Sequence, residues 1–247
     1  MTKDQIKQHK IAAERLDQVK NRAFGFIKNN LGKVSEYKVS QFILSEFKKE
    51  NLVAEKRYSL PIVAADKNTS LVHYFPQKNS SKIIKKNDLV LIDIWARINE
   101  KDAPFADITW MGYCGKNIPQ DIKKIFKRVI QGRETALKLL RQNLKTKKLP
   151  KTKLIDKTVR DYFDKYGLEN NFLHGLGHSL GINECHGKYF RFGKKSNAGL
   201  KKDILFTIEP GLYLKNNFGI RSEINCYITR DYGLIITSSV QKEIIKI

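Results

Sequence analysis

The sequence is short of acids. In 247 residues, 25 Asp and Glu stand against 47 Lys and Arg, a formal charge of +22. Cysteine is scarce too: Cys114, Cys185 and Cys226 are odd in number and form no CxxC. That argues against a disulfide framework or a zinc ribbon and makes a reducing cytoplasm the default compartment. No apolar run approaches the length of about 18 residues that a membrane span needs. The opening stretch MTKDQIKQHKIAAERL is too polar for a signal peptide.

Apolar residues are not lacking. They make up 41% of the chain and aromatics 10%, enough for a sizeable core, which excludes a disordered tail protein. The length suits one large domain or two small ones. Of the 47 basic residues 36 are Lys, spread along the chain in short runs such as Lys85-Lys86 and Lys194-Lys195. Arg, the better base reader, is scarce, so the charge reads as solvated faces rather than a nucleic-acid surface.

The pattern predicts a helix over 4–30, broken at Gly32, and a second from an N-cap at Ser35 through Phe47. From Tyr58 to Pro76 the chain reads as extended and turn-rich. A buried strand at 88–96 and another at 105–113 form a hairpin across a loop at 99–104. Pro119 opens a long amphipathic helix ending near Leu144, and a shorter one runs from about Lys153 to Tyr166 and stops at Gly167. The remainder is strand and loop: a Gly-rich stretch at 174–187, then 204–214, 219–229 and 234–247. Helices followed by strands, twice over, predict an α+β fold of two similar halves.

The few acids sit where acids are costly. Asp93 interrupts the apolar strand between Ile92 and Ile94, and Asp107 lies between Ala106 and Ile108 in the next. Glu209 and Glu223 repeat the anomaly in FTIEPGLY and GIRSEI. A carboxylate among Leu, Ile, Val and Trp needs a partner or a metal. Four of them near one another cannot all ionise without offsetting positive charge.

The five histidines add to this. His174 and His178 fall in HGLGHSLG, with His186 soon after and His73 in an extended segment before Asp93. The glycines argue against a helical zinc motif, and Gly175 stands where an HExxH base would be. Oxygen ligands with one imidazole suit Mn²⁺, Co²⁺, Fe²⁺, Zn²⁺ or Mg²⁺. Two such ions about 3.5–4 Å apart can activate a water and stabilise the resulting oxyanion, which is hydrolase chemistry.

The ordered set Asp93, Asp107, His178, Glu209 and Glu223, within the words LVLIDIWA, ADITW, HGLGHSLG, FTIEPGLY and GIRSEI, resembles the signature of the pita-bread metallopeptidases. That family includes aminopeptidase P, prolidase, methionine aminopeptidase and the non-peptidase creatinase. The resemblance runs from about residue 10 to 245. It implies two pseudo-symmetric halves whose helices cover a curved antiparallel sheet. It also implies two divalent ions, Mn²⁺ first, held by those five residues and bridged by a water. Asp107 and Glu223 would bridge the ions, Asp93 would chelate one, and His178 and Glu209 the other. Glu209 would also take the proton of the bridging water. His73 and His174 match histidines that contact substrate and intermediate, and Arg221 matches the arginine of the aminopeptidase P and prolidase branch. With PGLY and GIRSE, His174 points to cleavage before proline in Xaa-Pro peptides.

Three features depart from the pattern. The family's further histidine, seven residues past the ligand histidine, is Cys185 here, with His186 one position late as a substrate-binding substitute. The interval from Asp93 to Asp107 is slightly long, which a longer hairpin turn tolerates. The N-terminal domain usual in aminopeptidase P and prolidase is expected to be absent, and residues 1–247 read as one catalytic domain: a single-domain variant, a fragment, or a protein whose substrate differs from theirs. A peptide substrate and room for a homodimer follow, with no membrane or nucleic-acid partner. A non-catalytic binding protein on this fold and a creatinase-like C–N hydrolase are the competing readings.

Overall fold

A computed structural model of the chain describes residues 1–55 and 61–247. The expected extended start at Tyr58, Ser59 and Leu60 lies outside the described residues. Helix α1 spans Lys3–Asn29 and α2 spans Glu36–Lys49. A capping box at Thr2 and Gln5 starts α1, and Ser35 caps α2 by accepting the Lys38 N–H. Between them Gly32 takes a left-handed conformation (φ 79°), which ends the first helical pattern where the sequence places the break.

Strands β1 (Leu52–Val53), β2 (Ile62–Ala65), β3 (Leu89–Ile98) and β4 (Ala106–Tyr113) complete the first half. The second half repeats the order. Helices α3 (Gln120–Lys145) and α4 (Thr152–Asp164) precede β5 (His178–Leu180), β6 (His186–Arg191), β7 (Leu205–Ile208), β8 (Gly211–Tyr213), β9 (Gly219–Arg221), β10 (Ile224–Ile228), β11 (Leu234–Ile236) and β12 (Ile245–Lys246).

Two five-stranded sheets form the curved surface. One holds β1 to β4 with β12, and the other runs β11-β10-β7-β5-β6, while β8 and β9 make a ribbon. Among the described residues, the strand pairings are antiparallel except β12 beside β4. The expected C-terminal strand thus divides, because β11 pairs with β10 and β12 crosses back to the first sheet. The predicted stretch at 204–214 divides too, into β7 and β8 about Glu209-Pro210, since proline has no N–H for the ladder.

The apolar run of β3, interrupted at Asp93, follows from its burial on both faces. Val90, Ile92 and Ile94 pack with Leu16, Val19 and Ile43 from α1 and α2. Leu89 and Leu91 join the core made with Val129, Leu137 and Leu140 of α3. The α+β pita-bread architecture expected from the motifs is the architecture observed. No helix among the described residues is long and apolar enough to cross a membrane.

Candidate metal centre

The β3–β4 register sets Asp93 opposite Thr109 and Trp95 opposite Asp107. Residues opposite one another, and residues two apart, share a face. All four side chains therefore project to one side, with the two aspartates as diagonal neighbours. The adjacent Ile92, Ile94 and Ile108 turn to the α1/α2 core. A one-residue slip would bury the acids in that core.

The second sheet brings the glutamates together. Ile208 of β7 pairs with Ile224 of β10, so Glu209 and Glu223 flank the end of this ladder, one position beyond the pair. Asn225 on β10 reaches across to the first sheet. Its Oδ1 accepts the Asp107 N–H at 3.0 Å, and its amide donates to the Asp107 carbonyl. Thr109 Oγ1 donates to Glu223 Oε2 at 2.8 Å. These bonds fasten the two halves at the level of the acids.

His178 opens β5. Its N–H donates to Thr207 Oγ1 at 3.0 Å, and that hydroxyl donates to Glu209 Oε1 at 3.0 Å. His178 Nδ1 lies 3.0 Å from the Ser179 carbonyl, which can only accept, so Nδ1 carries the proton. The Nε2 lone pair then faces Glu209 Oε1 at 3.4 Å and Asp107 Oδ2 at 3.7 Å. The same logic places the His174 proton on Nδ1, which donates to Gly175 O at 2.8 Å. Its Nε2 accepts from Tyr213 OH at 2.9 Å.

The electrostatics are those of crowded, buried acids. Burial pushes Asp107 and Glu223 well above the usual carboxylate range, and the neighbouring carboxylates push them further. Burial raises Asp93 and Glu209 as well, against the pull of Arg221. Burial lowers His178 to about 4 and His174 to about 3, the latter with help from Arg221, so both rings are neutral. It also lowers His73, again with Arg221 adding to the effect.

Arg221 is itself buried. Its guanidinium donates to the Asp93 carboxylate, to Thr109 Oγ1 at 3.0 Å and to Tyr213 OH at 3.1 Å. One guanidinium does not serve every acid. Asp107 Oδ1 and Glu223 Oε1 are buried with no hydrogen-bond partner. Asp107, His178 and Glu223 offer ligand atoms within 4.8 Å of one another. Buried carboxyl oxygens without donors, beside a neutral imidazole lone pair, fit a divalent cation.

A cavity of about 430 Å³ gathers every residue singled out in the sequence: His73, Asp93, Asp107, His174, His178, His186, Glu209, Arg221 and Glu223. Asp93 stands apart from the tight Asp107–His178–Glu223 group, on the side held by Arg221. His186 sits against the His178 ring, centroids 3.9 Å apart, while the Cys185 thiol donates to Asp107 Oδ2 at 3.1 Å. Sequence reasoning missed Thr109, Thr207, Tyr213 and Asn225. Thr109 lies inside the quoted word ADITW, and Thr207 and Tyr213 inside FTIEPGLY, which was their only signal. It also missed Trp95, whose indole donates to Glu55 at 3.0 Å on the cavity wall.

A helix-backed double-sheet fold with this buried acid and imidazole cluster defines a metallohydrolase class of protein. The sequence model of metallopeptidase family M24 matches residues 7–230, and the chain belongs to that family. It is 30% identical over 244 residues to an uncharacterized peptidase of Methanocaldococcus jannaschii, covering 94% of this chain and 61% of that one. It is 28% identical over 186 residues to a Xaa-Pro dipeptidase of Pyrococcus furiosus, covering 75% and 49%. A solved prolidase from Thermococcus sibiricus superposes with a TM-score of 0.82 at 30% identity, over all of this chain and 62% of that one. The chain thus spans about half to three fifths of the length of these relatives.

Proposed function

We propose that this chain is a dinuclear metal-dependent peptidase that cleaves the bond before proline in Xaa-Pro peptides. The observation that carries the reading is the pair of buried, partnerless oxygens on Asp107 and Glu223, set beside the His178 lone pair and opposite Arg221. Asp93, Asp107, His178, Glu209 and Glu223 would hold two divalent ions, which when bound would polarise the scissile carbonyl and acidify a water. An oxygen-rich set with one imidazole, taken by itself, suits Mn²⁺, with Co²⁺, Zn²⁺ or Fe²⁺ able to use the same ligands.

The chain's own groups supply the rest. Glu209 takes the proton of the attacking water, and burial has already raised its proton affinity towards that task. Thr207 holds one of its oxygens in place. Arg221 fixes Asp93 and, through Tyr213, the His174 ring. His73 and His174 line the cavity where they can meet the peptide carbonyl and the developing oxyanion. Ile62, Phe75, Trp95 and Phe192 provide apolar walls against which a proline ring can pack. Three buried free thiols fit a reducing cytoplasm as the site of action.

The test is hydrolysis of a panel by purified protein supplied with Mn²⁺, each reaction paired with a chelator control. Xaa-Pro dipeptides, Xaa-Pro-Yaa tripeptides and Met-Ala peptides make up the panel. Chelator-sensitive cleavage before proline is expected, and a preference for dipeptides or tripeptides separates prolidase from aminopeptidase P behaviour. Cleavage of Met-Ala peptides alone, or of none with two metals bound per chain, overturns the Xaa-Pro assignment.

A further inference from the structure

One side chain in the centre has no place in that scheme. Cys185 is 2% exposed, lines the cavity and puts its sulfur 3.1 Å from Asp107 Oδ2. The same oxygen faces His178 Nε2 at 3.7 Å. The backbone fixes the sulfur there. Gly181 N–H donates to Cys185 O at 3.0 Å, and Phe105 N–H donates to Gly181 O at 2.9 Å, which ties this turn to the strand bearing Asp107. A Cβ on Gly181 would lie 2.2 Å from Glu184 O, so the turn is closed as tightly as glycine permits.

Two ligands of one ion lie at a predictable distance. With about 2.1 Å to oxygen, about 2.3 Å to sulfur and roughly 90–110° between them, the two atoms are about 3.1–3.6 Å apart. The Cys185–Asp107 separation falls in that range. The second oxygen of Asp107 and one oxygen of Glu223 are buried without donors, on residues only 6% and 2% exposed. Asp107, His178 and Glu223 are the residues whose ligand atoms lie within 4.8 Å of one another, and the sulfur meets that group through Asp107.

We propose that Cys185 is a sulfur ligand of this centre, which selects a thiophilic borderline ion, Zn²⁺ or Co²⁺, over Mn²⁺. The inference rests on the metallopeptidase reading and adds a ligand to it. As the metal–sulfur bond forms, the S–H proton leaves to solvent, and no electron is transferred. Softness decides the preference: thiolate binds zinc and cobalt in favour of manganese, which prefers oxygen. His186, its ring tilted against that of His178, then keeps an imidazole in the cavity although position 185 carries none.

The experiment is optical titration of the full chain with Co²⁺. The expected result is a near-ultraviolet sulfur-to-cobalt charge-transfer band together with the visible bands of bound cobalt. The charge-transfer band should vanish in Cys185→Ser and Cys185→Ala and persist in Cys114→Ser and Cys226→Ser, whose thiols lie outside the cavity. Dialysis against mixed Zn²⁺ and Mn²⁺, read as bound metal, should show Zn²⁺ favoured, with the ratio falling at least about tenfold in Cys185→Ser. Visible cobalt bands without charge transfer in the unaltered protein overturn the sulfur ligand and leave the carboxylate–histidine centre standing. A band that survives in both Cys185 variants also overturns it. No visible cobalt band at all, in the unaltered protein as in Asp107→Asn, overturns the centre itself and the sulfur ligand with it.

Discussion

The guanidinium of Arg221, at the end of the β8–β9 ribbon, is bonded to the carboxylate of Asp93 on β3 of the first sheet. It bonds directly to one acid of the four and acts on Glu209, Asp107 and Glu223 only through space. Removing it exposes Asp93 to the full cost of burial. Arg221→Gln is therefore expected to lower metal-free stability by about 3–5 kcal/mol at neutral pH, as for a buried pair stripped of one partner. Urea unfolding at pH 7.5 measures this. A loss below about 1 kcal/mol would show that solvent, not Arg221, carries the Asp93 charge.

Asp107→Asn should separate repulsion from metal binding. The acid is raised by burial and by Asp93 and Glu209, so a neutral amide relieves strain among the remaining three. The metal-free variant should melt at or above the parent temperature. The added stability from metal, about 2.7 kcal/mol at a hundred times Kd, should disappear, and turnover should fall at least about 100-fold. Thermal melts with and without metal check both halves; an undiminished metal shift would remove Asp107 from the ligand set.

Gly177 precedes His178 with φ 153°, and a Cβ there would lie 2.3 Å from Thr207 O and 2.8 Å from Thr207 Oγ1. Thr207 is the hydroxyl that holds both His178 and Glu209. Gly177→Ala should destabilise the fold by about 2–3 kcal/mol and weaken metal binding in the same protein. Denaturant unfolding and equilibrium dialysis test the two effects, and a variant that unfolds like the parent would contradict this packing.

His9 gives a pH dependence remote from the metal centre. It is fully buried in α1, with Nδ1 2.8 Å from Phe105 O and Nε2 2.7 Å from Thr237 Oγ1. Burial lowers it from 6.5 to about 4. The unfolded chain binds the proton first, so the stability it lends is complete above about pH 6.5 and is lost as pH falls towards 4. The loss runs at about 1.4 kcal/mol per pH unit within that window. His9→Asn keeps a donor for Phe105 and removes the titration. Unfolding free energies at pH 7.5 and 5.5 should differ by about 1 kcal/mol more for the parent than for the variant; equal differences would mean His9 titrates normally.

Much of this was legible in the chain itself. Asp93 and Asp107 announce themselves because a charge inside an apolar strand is too costly to be incidental. The helices show their caps and periods at Ser35, Pro119 and Gly167. The partners of the acids were not legible. Thr109, Thr207, Tyr213 and Asn225 are ordinary strand residues until the ladder register and the approach of the two sheets bring their hydroxyl and amide groups within bonding distance. Cys185 reads as a departure from a pattern, and only its distance from Asp107 gives it a chemical role.

Local sequence determined which residues are charged against their surroundings, and the order of helices and strands that carry them. Both follow from short-range rules, the price of burying a charge and the period of apolar positions. The tertiary structure decided which acids share Arg221, which oxygens are left without donors, and that position 185 faces the Asp107 carboxylate. Those outcomes depend on contacts between residues 78 to 128 positions apart, and no periodicity encodes a distance between two sheets.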